Sequence, residues 1–205
     1  MKKIVVALSL LAVFACKNKE EQNDEPGIMD AVESVKSMNK GADAIKDYEK
    51  ITEDLKKLTP VKNDVYKAVL VETLGDLPRT KFSAGNNAAA AGLSTAEATY
   101  SNAEGKAVKV TIFDGAGETG SALITILHMT IAMGMESIEG TKTMQTEEID
   151  GNMCSTQNDT NPDSYNNSSI NFIYNDRFQI TLEGTKIQLE ELKSYLAKLD
   201  LSHLK

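Results

Sequence analysis

The chain has 205 residues, with 22 Lys or Arg against 30 Asp or Glu for a formal net charge of −8; hydrophobic residues make up 41%, aromatics 5%, and tryptophan is absent. An acidic body with no local Lys/Arg cluster repels phosphate backbones and anionic headgroups, which disfavours nucleic acid as a partner. The only cysteines are Cys16 and Cys154, so a disulfide scaffold is excluded once either one is engaged elsewhere.

Met1-Lys2-Lys3 precede an uncharged run from Ile4 to Ala15, then Cys16, then Lys17-Asn18-Lys19-Glu20-Glu21. A basic start, an apolar run and a cleavage zone predict a signal peptide over residues 1–15. At about 1.5 Å of rise per helical residue the run falls short of a hydrocarbon core roughly 30 Å thick, so it is not a permanent span. Val13-Phe14-Ala15-Cys16 resembles the lipobox of bacterial lipoproteins, although Phe14 is bulkier than most lipoboxes carry there. The resemblance implies that Cys16 receives a diacylglyceryl thioether and becomes the new N-terminus; the alternative is an ordinary cleaved signal with an incidental cysteine. Several acyl chains, each worth about 0.8 kcal/mol per buried CH₂, anchor stably where one does not.

Cleavage would remove Lys2 and Lys3 from the 22 basic residues and none of the 30 acidic ones, taking the net charge from −8 to −10. Acyl chains, not electrostatics, would then hold the protein to its membrane. Residues 16–27 are polar, mostly charged and too poor in apolar groups to order themselves, so they read as a tether. Lys17 stands where an aspartate would resemble the inner-membrane retention signal, which implies outer-membrane delivery. Lys19-Glu20-Glu21 resembles the acidic step that sends some lipoproteins to the cell surface. The expected location is the outer membrane, on its periplasmic or cell-surface side.

Residues 28–62 are expected as an amphipathic helix ending near Thr59-Pro60. Ile28, Val32, Val35, Ala42, Ile45, Tyr48, Ile51, Leu55 and Leu58 are spaced by threes and fours along one narrow stripe. Asn39 and Gly41 interrupt any strict heptad, leaving either packing on its own domain or self-association open. The rest, 63–205, is expected as one α+β domain. Asn63 to Leu74 adds a short helix, and period-two strands follow at Leu77–Ser83, Ser94–Ser101 and Lys106–Asp114. The last two are joined by the turn Asn102-Ala103-Glu104-Gly105, and Val108, Val110 and Ile112 alternate with Lys109, Thr111 and Phe113.

Gly115-Ala116-Gly117-Glu118-Thr119-Gly120 is a literal G-x-G-x-x-G between a strand and an apolar helix. Nucleotide binding also needs a strand buried on both faces, a second parallel strand and bare backbone N–H groups, whereas here the strand alternates and Glu118 brings a carboxylate. The glycines are therefore expected to turn the chain, with Thr119 or Ser121 capping the helix. That helix, Ser121 to Glu136, aligns Ser121, Thr125, His128, Ala132 and Glu136 on one line and is apolar elsewhere from Leu123 to Met135. Such a face is wider than a sheet covers, so the N-terminal helix should cover it; the alternative is a protein partner or an apolar ligand at the Leu123–Met135 helix. His128 is expected at the rim rather than as a base or metal ligand.

Thr141–Ile149 and Asn152–Gln157 flank Asp150-Gly151, and Ser169–Asn175 and Arg177–Glu183 meet at Asn175-Asp176, giving two hairpins. Asp159, Asn161 and Asp163 mimic the start of a calcium loop, but Ser164 and Ile170 stand where glycine and glutamate are needed, so a connecting loop is expected. Cys154 reads as an ordinary strand residue. Thr185-Lys186-Ile187-Gln188 reads as a capping box ahead of Leu189, Leu192, Leu196 and Leu199 on a docked helix.

The order of elements predicts an α+β fold, with an antiparallel sheet of about six to seven strands packed with two helices behind the long N-terminal one. Residues 74–204, through that order and the Gly151 and Asn171–Gly184 patterning, loosely resemble PsbP/Mog1-like domains and small envelope lipoproteins, a resemblance that carries no catalytic residue. No G-x-S-x-G, H-E-x-x-H or C-x-x-C occurs, so no catalytic, cofactor or metal residue is assigned. The expectation is a lipid-anchored envelope protein acting by binding, as an assembly component or a carrier of an apolar ligand. Its alternatives are an enzyme whose site is assembled from sequence-distant residues and a helix-mediated oligomer.

Overall fold

Strict alternation along the strands builds the protein around one sheet. The computed structural model describes residues 47–87 and 93–205. The signal peptide at 1–15, Cys16, the tether at 16–27 and residues 28–46 of the amphipathic helix lie outside the described residues.

The described part is α+β. Helix α1 covers residues 47–56 and α2 Asn63–Val69. Strands β1 (Thr73–Leu74), β2 (Leu77–Asn87), β3 (Leu93–Ser101) and β4 (Ala107–Asp114) follow, then α3 (Glu118–Ala132). The chain continues through β5 (Glu136–Glu139), β6 (Lys142–Ile149), β7 (Asn152–Asp159), β8 (Ser168–Tyr174) and β9 (Phe178–Thr185) to α4 (Leu189–Leu196) and a 3-10 turn at Leu201–His203. All strand pairs are antiparallel, in the order β1-β2-β3-β4-β9-β8-β7-β6-β5.

Two meanders thus meet at the β4–β9 pair, and α3 carries the chain from the middle of the sheet to its far edge. Five inter-strand spacings of about 4.8 Å need roughly 24 Å, and a 15-residue helix supplies about 22 Å. The length of α3 is therefore set by the crossing it makes.

Val108, Val110 and Ile112 are fully buried on the same sheet face as Ile170, Phe172, Ile180 and Leu182. Tyr66 and Val69 of α2 and Leu189, Leu192, Tyr195 and Leu196 of α4 close this core. Each such side chain contributes about 1.5–3 kcal/mol relative to exposure. The opposite face holds Lys109, Thr111, Thr181, Glu183 and Asn171, all half-buried, with Lys109 paired to Glu183. Only its end near Phe113 and Ile173 is apolar, where Ile124 of α3 and Leu55 of α1 cover it.

Nine strands replace the six or seven expected, and four helices lie among the described residues. The additional strands are β1, whose two residues were expected within the helix Asn63 to Leu74 but follow a helix that stops at Val69, and β5. Glu136, the first residue of β5, was expected as the end of a helix, but α3 stops at Ala132 because Gly134 turns left-handed (φ 65) and its N–H bonds back to the Ile131 carbonyl. The expected caps also fail. Gly117 is the N-cap of α3 without a side-chain bond, and Ser121 Oγ instead donates to the Glu118 carbonyl at 2.9 Å. At α4, Thr185 belongs to β9, Gln188 is the N-cap, and the Leu189 N–H is answered by Asn158 Oδ1 of β7 at 2.9 Å.

Candidate functional site

The glycine loop ahead of α3 is a packing device. A Cβ on Gly120 would fall 2.7 Å from the Gly115 backbone, and one on Gly115 would strike Ile124. The Gly117 N–H donates to the Leu55 carbonyl of α1 at 3.0 Å, so it is not bare for a phosphate. Strand β4 lies between antiparallel neighbours, so the parallel pair that a dinucleotide fold needs is absent among the described residues.

Just before this loop, Asp114 is fully buried and grips Arg177 in a two-pronged pair at 2.7 and 2.9 Å. Its oxygens also accept from the N–H groups of Val61 and Ala116, while the guanidinium donates to the carbonyls of Thr59 and Lys205. With its charge matched and its donors answered, this pair ties β4, the β8–β9 turn, the α1–α2 connection and residue 205 together. Sequence reading missed it because the partners lie 63 residues apart.

Helix α1 lies on α3 antiparallel to it. The Tyr48 ring stacks on His128 with centroids 5.4 Å apart, and the Thr52 and Thr125 hydroxyls meet. The described part of the N-terminal helix therefore docks on the polar line of α3 and against Ile124, while residues 28–46, expected to cover more of the apolar face, lie outside the described residues. The docking on the polar line rests on Ser121 and Thr125, whose hydroxyls donate back to helix carbonyls at 2.9 Å and leave a small, hydrogen-bonded ridge that a second helix can approach.

What α1 leaves uncovered is apolar. Leu123, Ile126 (59% exposed), Met129 and Met133 (83%) form a stripe opposite Ile124 and Ile131, and Met135, Ile138 and Met153 extend it over the β5–β7 edge. Clefts flank the helix on each side. One of about 470 Å³ lies between α1 and α3, and another of about 500 Å³ runs between the end of α3 and Gln145, Thr146 and Met153.

A third, of about 330 Å³, is assembled from sequence-distant residues: Tyr48 of α1, His128 and Ile131 of α3, and the tips of the β6–β7 and β8–β9 hairpins. His128 lines this cleft and is more enclosed than the rim position expected: its side chain is 16% exposed, and its Nε2 is buried without a hydrogen-bond partner, 3.6 Å from Asp176 Oδ1. Burial holds the imidazole below its usual pKa, with the Asp176 carboxylate and the Asp176 backbone opposing; the backbone contact falls short of a hydrogen bond by geometry. Asp176 and Asn175 both adopt left-handed backbone (φ 53 and 51), and Asn175 Nδ2 pins the turn to the Leu204 carbonyl at 3.0 Å. Among the described residues the rest of the lining is Ala132, Gly151, Asn152, Met153, Ile173 and Asn175.

The remaining candidates separate from this site. Cys154 is fully buried in β7, its thiol pushed up to about 12 by burial, and it is an inert strand residue. Asp159 accepts from the Ser164 hydroxyl, the Asn161 N–H and the Thr141 hydroxyl, which hold its carboxyl below the usual range. Among the described residues no group of three His, Cys, Asp or Glu side chains could hold a metal ion. Glu147 faces Lys193 of α4 at 2.9 Å while Glu148 lies on the opposite, exposed face, as alternation requires.

No family model matches the chain, and neither a curated protein nor a solved structure matches it. The functional reading therefore rests on the geometry around α3.

Proposed function

We propose that this is a lipid-anchored protein of the cell envelope that acts by binding a protein partner through the exposed stripe of α3. The observation that carries the reading is the run of uncovered Leu123, Ile126, Met129 and Met133 on a helix already seated by its other side. Exposed contiguous apolar surface marks interaction sites, and methionine side chains repack readily against varied partners. The anchor is Cys16, acylated after removal of residues 1–15, with residues 16–27 as tether and the outer membrane as the destination. No described helix is long and apolar enough to cross a membrane.

Two experiments test the two halves separately. Labelled palmitate should enter the parent chain and not the Cys16→Ser variant; equal absence of label from both ends the anchoring half. A photo-crosslinking residue placed at Ile126 in cells should give a discrete adduct that Met133→Glu suppresses, while the same residue at Glu190 of α4 gives none. Equal labelling from both positions would end the docking half.

A further inference from the structure

The cleft at His128 is distinct from the exposed stripe of α3 and carries its own chemistry. Its charged member is the Asp176 carboxylate, with no Lys or Arg among the described residues of the lining. A tyrosine ring forms one wall, Ile131, Ile173 and Met153 supply apolar surface, and the body as a whole bears a net charge of −8. An aromatic face, a carboxylate and apolar walls are the groups that recognise an organic cation.

We propose that this cleft binds a small protonated alkylamine, its nitrogen between Asp176 and His128 and its alkyl chain against Ile131, Ile173 and Met153. Asp176 Oδ1 lies 3.6 Å from His128 Nε2, beyond hydrogen-bond distance, so an outward movement of the exposed Asp176 side chain would open a place where one nitrogen donates to both. A neutral imidazole protonated on Nδ1 offers Nε2 as the acceptor, and an ammonium supplies the missing donor. Nε2 is closed to water in this arrangement, and Asp176, whose side chain is 68% exposed at a hairpin tip, is the side that yields to admit the nitrogen. A volume of about 330 Å³ suits a short chain, at the low end of ligand sites. The same ammonium could arrive on a free amine or on a lysine side chain.

The test is a proton NMR titration of the full chain at neutral pH with n-butylammonium, n-butanol and butyrate, following the Cε1–H resonances of the chain's two histidines, His128 and His203. The amine should shift His128 saturably and leave His203 unmoved, and neither the neutral nor the anionic analogue should reproduce the shift. Asp176→Asn keeps the side-chain shape and a residue type that tolerates left-handed backbone, and should weaken the amine about tenfold or more. Nα-acetyl-lysine amide binding more tightly than n-butylammonium assigns the ammonium to a polypeptide, and binding more weakly assigns it to a free amine. No shift of His128, an equal shift with n-butanol, or unchanged affinity in Asp176→Asn overturns the proposal; the butanol comparison on the parent chain keeps it falsifiable if the variant fails to fold.

Discussion

Helices α3 and α4 lie on opposite faces of one sheet. In α4, Leu189, Leu192, Tyr195 and Leu196 are all buried, Glu190 is exposed and Lys193 reaches sideways to Glu147 of β6. In α3, Ile124 and Ile131 are buried while Leu123, Ile126, Met129 and Met133 face outward. Packing against a sheet needs a single apolar stripe, which α4 has, whereas α3 carries a second one opposite the first. The second stripe adds nothing to the core beneath it, which is why we assign it to recognition.

Cutting the scaffold that both helices share should have the largest effect. Arg177→Leu leaves the Asp114 carboxylate buried without its partner, and urea unfolding should show a loss of about 3–5 kcal/mol. Leu192→Ala, on the packed helix alone, should cost about 2–5 kcal/mol in the same measurement. A smaller, pH-dependent effect belongs to the α1–α3 seam. Burial lowers the folded pKa of His128 below its unfolded value near 6.5, so the unfolded chain takes up the proton first and stability falls as pH drops through that value. Thermal midpoints of His128→Gln should therefore decline less than the parent's between pH 7 and 5.5. Smallest of all, Ile126→Ala on the exposed stripe should shift unfolding by no more than about 0.5 kcal/mol.

Periodicity made much of this contrast legible from sequence. Val108, Val110 and Ile112, and Leu189, Leu192 and Leu196, are buried as their spacing required, and Asp150-Gly151 and Asn175-Asp176 turn the two hairpins. The excess width of the α3 apolar face was equally visible, since it depends on local composition. Which side of α3 would receive α1 was not, because hydroxyls that bond back to their own helix look polar in a sequence and behave as packing surface in the fold. Nor could the sequence place Tyr48, His128 and Asp176 in one cleft, or Asp114 against Arg177. Each of those meetings depends on β4 pairing with β9 and on the path of α3 across the sheet, both long-range outcomes with no local signature.

The central claim is that the outward stripe of α3 is dispensable for folding and required for recognition. Urea unfolding of the Ile126→Glu, Met133→Glu double variant tests it most directly. The account predicts a midpoint and slope indistinguishable from the parent chain, because both side chains already face solvent. A loss of several kcal/mol, comparable to that of Leu192→Ala, would mean the stripe is packed within the protein itself and would contradict the assignment.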